Sequence, residues 1–201
     1  MQKKLILASQ SPRRKELLTQ LGYQFTCQSA DIDESVFSNE PPLVYVERMA
    51  KEKAQVIANT LDNSAENVVL GADTCVVIDD NILAKPTDLA DCHAILTQLS
   101  AKQHQVHTAI ALSYQGRVVS EVITTDVYFK ALTPNEITAY WHTGEPQDKA
   151  GAYGIQGIGG QFVSRIEGSY YAVVGLPLFE TAQLLARFGL YTAIQQCDNV
   201  K

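Results

Sequence analysis

The sequence has no segment typical of a membrane or secreted protein. None of its apolar runs approaches the length needed to span a bilayer. The chain passes from Met-Gln-Lys-Lys directly into a strand-length apolar run, without the apolar core or small-residue cleavage site of a signal peptide. We therefore expect a cytoplasmic protein that is not held in a membrane.

Cysteine and basic residues are also scarce. The cysteines at positions 27, 75, 92 and 197 lie far apart without paired spacing. This argues against a disulfide framework or a zinc site and favours reduced thiols, of which we expect Cys27, Cys75 and Cys92 to be buried. With 16 basic and 22 acidic residues, the net charge is −6. Duplex nucleic acid or an anionic membrane surface is therefore disfavoured as the main partner.

What is present is typical of a soluble globular protein. Of the 201 residues, 46% are hydrophobic and 19% are charged. A chain of this length can bury a substantial core, either as one large domain or as two lobes that share a sheet.

The N-terminal stretch predicts a strand, a tight loop and the start of a helix. An apolar run begins at Leu5, and leucines at helical spacing follow Pro12. Pro12 suits the first turn of a helix, whose free N–H groups Ser11 can cap. Arg13 and Arg14 add two cations to a helix end that already favours anions. The stretch predicts an anion site, with a solvated arginine pair as the alternative.

An acidic loop follows, with three carboxylates within four residues: Asp31, Asp33 and Glu34. Such clusters are usually solvated, but oxygen ligands of this kind also bind hard divalent cations. Because the cluster follows the predicted anion-binding stretch, we hypothesise a metal site here. Any of the three carboxylates could supply the ligand.

At most one of two lysines in the next predicted helix can point inwards. Residues 43–58 form an amphipathic pattern, with its apolar stripe at Val46, Met49, Ala50, Ala54 and Ile57. Lys51 and Lys53 are two positions apart and so cannot share a face. Lys53 is favoured because it borders the stripe.

Asp73 lies within a near-continuous apolar strand predicted over residues 68–78. A carboxylate in such a strand is costly unless it is paired, hydrogen-bonded or bound to a metal. Asp73 therefore requires a partner. The alternative is that it caps a turn where the strand bends at Gly71.

The later segments add a cation, Lys85, and a glycine-rich stretch over residues 148–160. Five glycines there allow close approach of the backbone to a ligand, but they match neither a Walker loop nor a dinucleotide fingerprint. Within the stretch, the side-chain amide of Gln156 can both donate and accept, as contact with a base edge requires. We also predict a strand hairpin over 106–129, a helix capped by Thr87 or Asp88, and helices that begin near Pro134 and Pro177.

These groups favour phosphate chemistry. Cationic side chains and a divalent metal can neutralise phosphoryl oxygens, while a carboxylate positions the metal or accepts a proton from water. No serine–histidine–aspartate set and no cysteine nucleophile is evident from spacing. The residues alone therefore predict a metal-assisted hydrolase of phosphate esters or anhydrides.

Five ordered motifs resemble the Maf family of nucleoside triphosphate pyrophosphatases. They are Leu-Ala-Ser-Gln-Ser-Pro-Arg-Arg (7–14), Arg-Met-Ala-Lys-Glu-Lys-Ala (48–54), Gly-Ala-Asp-Thr (71–74), Lys-Pro (85–86) and Asp-Lys-Ala-Gly-Ala-Tyr-Gly-Ile-Gln-Gly (148–157). The last motif, with Tyr153 and Gln156, resembles the branch that acts on dTTP and UTP. One departure is Ala101, which follows Ser100 where the family commonly has glycine.

The resemblance implies cleavage of dTTP and UTP, and of modified pyrimidine triphosphates, to a monophosphate and pyrophosphate with magnesium or manganese. It makes Asp73 the general base or a metal-organising carboxylate, and Glu34 a metal ligand. Phosphate binding is assigned to Ser9, Arg13, Arg14, Lys53 and Lys85, and base selection to Arg13, Thr74 and Gln156.

For the fold, the resemblance implies an α/β protein with a mixed twisted sheet, flanking helices and a cleft between two lobes, similar to inosine triphosphate pyrophosphatases. It implies one domain over residues 1–201 and a cytoplasmic homodimer that removes modified or surplus pyrimidine nucleotides, and the family is also associated with arrest of cell division. The alternatives are a nucleotide-sensing regulator of septum formation that needs no turnover, and a phosphatase or kinase that uses the Ser-Pro-Arg-Arg loop.

Overall fold

A computed structural model describes residues 3–62 and 66–197, without the side chains of residues 196 and 197. The described strands are β1 (Lys4–Leu7), β2 (Phe25–Cys27), β3 (Asn67–Ile78), β4 (Asn81–Leu83), β5 (Gln103–Tyr114), β6 (Arg117–Phe129) and β7 (Val163–Glu167). The helices are α1 (Pro12–Gln20), α2 (Pro42–Thr60), α3 (Leu89–Leu99), α4 (Pro134–Trp141), α5 (Tyr170–Val174), α6 (Leu178–Ala186) and α7 (Ala193–Cys197).

The strands of the described residues form one sheet in the order β2-β1-β3-β5-β6-β7, with β4 paired to β3. β1 pairs in parallel with β2 and β3, whereas β4 runs antiparallel to β3 and β7 antiparallel to β6. In the parallel ladder, Leu7 lies opposite Cys27 on one side and Leu70 on the other. The predicted α/β class with a mixed sheet is confirmed.

Two compact units can be distinguished along the chain. The first comprises Met1–Asp73, Thr108–Val122 and Gly175–Lys201, and the second comprises Thr74–His107 and Ile123–Val174. In the first unit, fully buried side chains include Leu7, Leu18, Met49, Leu70, Ile110, Leu112 and Leu184. The second unit has its own core, built around Cys92, Leu96, Leu99, Val127, Ile137 and Phe162. The cleft and the single domain over residues 1–201 stay predictions.

Local sequence signals account for the helix starts. Asp88 caps α3 by accepting a hydrogen bond from the backbone N–H of Asp91 at 2.8 Å, one of the two caps predicted. Thr133 and Glu136 form a reciprocal capping box at the start of α4, which begins with Pro134 as expected. Beyond the end of α3, Ala101 adopts a left-handed conformation with φ of 55°.

The cysteine prediction is wrong at one position. Cys75 and Cys92 are buried, but Cys27 is exposed, and all three are free thiols. Cys27 ends β2, a three-residue strand at the edge of the sheet, where little can cover a side chain. The side chain of Cys197 lies outside the described residues. Within residues 3–62 and 66–197, no helix is both long and apolar enough to cross a bilayer.

Candidate functional site

The loop between β1 and α1 has the predicted architecture of an anion site. Pro12 stands in the first turn of α1, and the Ser11 hydroxyl accepts a hydrogen bond from the backbone N–H of Arg14 at 3.5 Å. Ser9 is buried, and its hydroxyl accepts from the backbone N–H of Ser11 at 3.2 Å. A helix N-terminus shaped in this way presents a partial positive charge.

The side chain of Arg14 is held in the site by hydrogen bonds and is not simply solvated. Its Nε donates to the carbonyl of Gly175 at 2.9 Å and its Nη1 to the hydroxyl of Ser9 at 3.4 Å. Burial lowers the pKa of Arg14 from its ordinary value, while the charges of Asp73 and Glu34 act in the opposite direction. Arginine stays protonated even so, which makes Arg14 a permanent cation beside two carboxylates.

Helix α2 packs directly on β3 because Gly71 has no side chain. A Cβ at Gly71 would lie 2.2 Å from the carbonyl oxygen of Ala50 and 2.8 Å from the backbone nitrogen of Ala54. Residues two apart in a strand share a face, so Asp73 points to the same side as Gly71. This close contact lets Lys53, on α2, reach the carboxylate of Asp73.

Lys53 bridges two carboxylates, and we call Glu34, Lys53 and Asp73 the carboxylate–lysine cluster. Its Nζ lies 2.8 Å from Asp73 Oδ1 and 2.6 Å from Glu34 Oε1. The inward direction of Lys53 is confirmed: it is buried, whereas Lys51 is half-buried and pairs with Glu47. β3 runs without interruption from residue 67 to 78, so Asp73 lies in a strand and not at a bend.

The acidic loop contributes Glu34 to this cluster. Asp33 is engaged locally instead, because its Oδ1 accepts from the backbone N–H and the hydroxyl of Ser35 at 2.9 and 2.5 Å. Those hydrogen bonds lower the pKa of Asp33. The described residues contain no group of three or more potential metal ligands. The carboxylates of Glu34 and Asp73, which both contact Lys53, still fit magnesium. Magnesium in proteins is commonly bound by one or two carboxylates, and substrate phosphates complete its coordination shell.

Three other predicted site residues lie in the second unit. Thr74 directly follows Asp73 in β3 and is half-buried, whereas Lys85 and Gln156 are exposed. Of the predicted residues in the first unit, the structure brings together Ser9, Arg14, Glu34, Lys53 and Asp73. The half-buried Arg13 acts electrostatically on Arg14.

Comparison with known proteins decides the family. The model of the Maf-like protein family matches residues 4–188. A protein of Colwellia psychrerythraea named dTTP/UTP pyrophosphatase is 60% identical over 194 residues, which cover 95% of this chain and 91% of the relative. The chain belongs to the Maf family. Proteins of the same name from Vibrio cholerae and Aliivibrio fischeri are 54% and 53% identical, covering 92% and 94% of this chain and 98% and 100% of theirs.

Among solved structures, the Ham1 protein of Staphylococcus aureus is similar to this Maf-family chain. The match has a TM-score of 0.43 and 12% identity, and it covers 63% of this chain and 72% of that one. A similarity of this size does not by itself assign a fold or a function.

Sequence reasoning missed the role of Arg48 in this Maf-family protein. Its Nε and Nη2 bind the two carboxylate oxygens of Glu40 at 2.6 and 2.7 Å, and Nη2 also donates to the carbonyl of Ser35 at 2.9 Å. The hydroxyl of Tyr45 donates to the carbonyl of Glu34 at 3.1 Å. α2 therefore holds the acidic loop in place at the residue that meets Lys53. Arg48 stands in one of the five motifs, but its loop partners could not be read from the sequence.

Proposed function

We propose that this Maf-family chain hydrolyses dTTP and UTP to the nucleoside monophosphate and pyrophosphate. The observation that carries the proposal is the carboxylate–lysine cluster beside the N-terminus of α1, with Lys53 Nζ within 2.8 Å of both carboxylates. Relatives that are 53–60% identical bear the name dTTP/UTP pyrophosphatase. Modified pyrimidine triphosphates are included in the proposed substrate class, and clearance of such nucleotides is the proposed role.

The cations hold the triphosphate in this proposal. Ser9, Arg13 and Arg14 take one end of it at the N-terminus of α1, where the partial positive charge of the helix adds to the charge of two guanidinium groups. Lys53 and Lys85 neutralise further phosphate oxygens. Binding by several fixed cations orients the chain of phosphates and stabilises the charge that develops on the departing pyrophosphate.

The carboxylates carry the chemistry. Asp73 accepts a proton from the attacking water or organises the metal. The water oxygen bonds to the α-phosphorus as the α–β phosphoanhydride bond breaks, and pyrophosphate leaves with the bonding electrons. Glu34 and Asp73 would hold a Mg²⁺ or Mn²⁺ ion, which when bound neutralises phosphate oxygens on the substrate. Since Asp73 is buried and Glu34 exposed, the pair spans from the interior of the first unit to its surface.

Base selection is assigned to Arg13, Thr74 and Gln156. The amide of Gln156 can donate and accept at a base edge, and its exposure leaves it accessible to a ligand. An enzyme that hydrogen-bonds its substrate in this way rejects bases whose donor and acceptor groups do not match.

The test is a panel of canonical and modified nucleoside triphosphates with magnesium, scored by product. Monophosphate plus pyrophosphate from dTTP and UTP supports the proposal, and stepwise release of orthophosphate contradicts it and favours a phosphatase. The variant Asp73→Asn is expected to lose pyrophosphate release while still binding nucleotide. Unchanged turnover by purified Asp73→Asn would remove Asp73 from the catalytic assignment. Wild-type protein that binds dTTP without any turnover would indicate the nucleotide-sensing regulator.

Assembly and location belong to the same proposal. We expect a cytoplasmic homodimer without nucleic acid or membrane partners, in line with the acidic net charge of −6. Light scattering coupled to size-exclusion chromatography measures the mass directly. A single species near 22.1 kDa would contradict the dimer.

A further inference from the structure

The glycine-rich segment that carries Gln156 is anchored by an upstream carboxylate. Glu145 begins a 3-10 turn over Glu145–Asp148, and its oxygens accept hydrogen bonds from the backbone N–H groups of Ile158 and Gly159 at 2.8 and 2.9 Å. Its Oε1 also accepts from the hydroxyl of Tyr140 at 2.8 Å. One side chain therefore satisfies three donors.

Tyr140 extends this anchor to the other side of Gln156. Its hydroxyl accepts from the backbone N–H of Gly154 at 3.2 Å while donating to Glu145. Residues 154–159 are thus held near both ends, and Gln156 lies between the anchored positions. We call Tyr140 and Glu145 the loop clamp.

Two glycines are required because the side chains of the loop clamp lie very close to the backbone of the segment. A Cβ at Gly157 would lie 2.3 Å from Glu145 Oε2, and one at Gly159 would lie 2.5 Å from the hydroxyl of Tyr140. Gly157 has a φ of −104°, which any residue can adopt. The clamp therefore explains why these positions lack a side chain, and backbone conformation does not.

The charge state of the clamp suits its hydrogen bonds. Burial alone would raise the pKa of Glu145, but the N–H groups of Gly159 and Ile158, the hydroxyl of Tyr140 and the charge of Lys149 lower it overall. Burial and the bond to Glu145 raise the pKa of Tyr140. At neutral pH the carboxylate is therefore a full acceptor and the phenol a donor.

We propose that Glu145 is a positioning residue for base selection: it fixes the backbone of residues 154–159 so that the exposed amide of Gln156 meets the base in one orientation. This inference rests on the proposed function. An exposed amide on a loose loop could adapt to several bases, whereas an amide on a clamped backbone discriminates between them.

The test compares Glu145→Gln with Glu136→Gln. A glutamine at 145 keeps the shape but presents an NH₂ group to one of the donors that the carboxylate binds. We expect the ratio of kcat/KM for dTTP over dCTP to fall roughly tenfold, while kcat for dTTP changes less than about threefold. Glu136 is a suitable control because, like Glu145, its carboxylate accepts hydrogen bonds from a backbone N–H and a hydroxyl in the second unit, here those of Thr133 at the start of α4. Its variant should lower stability without changing the ratio.

A double variant tests whether Glu145 acts through Gln156. If it does, Glu145→Gln combined with Gln156→Ala has the same selectivity as Gln156→Ala alone, since the two changes remove one function. Additive losses, or an unchanged ratio in Glu145→Gln, would overturn the inference. Tyr140→Phe serves if Glu145→Gln does not fold, because it removes only the hydroxyl, and the same fall in the ratio is expected. Wild-type protein that hydrolyses no triphosphate refutes the proposed function instead, so the two failures are distinct.

Discussion

A single methyl group added at Gly71 should reduce activity without touching the carboxylate–lysine cluster directly. In Gly71→Ala the new Cβ would lie 2.2 Å from the carbonyl oxygen of Ala50, where ordinary contacts begin near 3.4 Å. It would also lie 2.8 Å from the backbone nitrogen of Ala54. Both atoms belong to the backbone of α2 and cannot rotate away as a side chain can. Either α2 or β3 has to move, and each carries one partner of the ion pair between Lys53 and Asp73.

The size of the effect follows from this overlap. Relief requires a displacement on the order of 1 Å, and inserting a methyl group into such a contact costs about 1–3 kcal/mol or more. A misplacement of this size among groups that act together can reduce activity by roughly 10²-fold. We therefore expect Gly71→Ala to be folded but destabilised, with kcat/KM for dTTP reduced far more than its stability loss explains.

Urea unfolding measures the free energy of unfolding, and release of pyrophosphate from dTTP measures activity. Gly116→Ala is the matched control: its Cβ meets nothing within 4 Å, and its positive φ of 75° costs an alanine about 1 kcal/mol. This control should lose stability and keep activity. If Gly71→Ala behaves like Gly116→Ala in both assays, the close packing of α2 on β3 does not position Lys53.

Two further predictions concern stability. Ala101→Gly should raise the free energy of unfolding by roughly 0.5–1 kcal/mol, because Ala101 has a φ of 55° and glycine adopts this conformation without strain; an equal or lower value in urea unfolding would contradict this. Burial lowers the pKa of His104 from 6.5 to about 4, so the unfolded chain takes up a proton at this position before the folded chain does as the pH falls. Wild-type stability should therefore fall by about 2 kcal/mol from pH 7 to pH 5 on account of His104, and His104→Gln should lack this part of the fall. Parallel pH curves for the two proteins would refute this assignment.

The parts of the site that follow from local rules could be predicted. Ser11 and Pro12 mark the start of α1 because capping depends on neighbours in sequence. Lys53 turns inwards because helical periodicity places it beside the apolar stripe. Asp73 needed a partner because a carboxylate in a buried strand is costly. Each of these three predictions depended on the sequence of a single helix or strand.

The parts that depend on contacts between distant segments could not be predicted. The residues alone left three carboxylates of the acidic loop open, and only the family resemblance favoured Glu34; in the structure Arg48 and Tyr45 hold the loop on α2, where Glu34 meets Lys53. The glycines of the segment over residues 148–160 were expected to allow close approach of the backbone to a ligand. In the structure, Gly157 is explained by Glu145, twelve positions before it, and Gly159 by the hydroxyl of Tyr140, and no spacing rule connects these residues.

Lys53 and Arg14 carry two positive charges that balance the two negative charges of Glu34 and Asp73 within the site itself. A cation that took Glu34 and Asp73 would release the lysine ammonium for an anion, and an anion that drew Lys53 away would leave the carboxylates open to a cation. The two binding events would then be thermodynamically linked, each raising the affinity for the other by the same factor. An internal ion pair of this kind would favour the metal and the triphosphate together over either one alone.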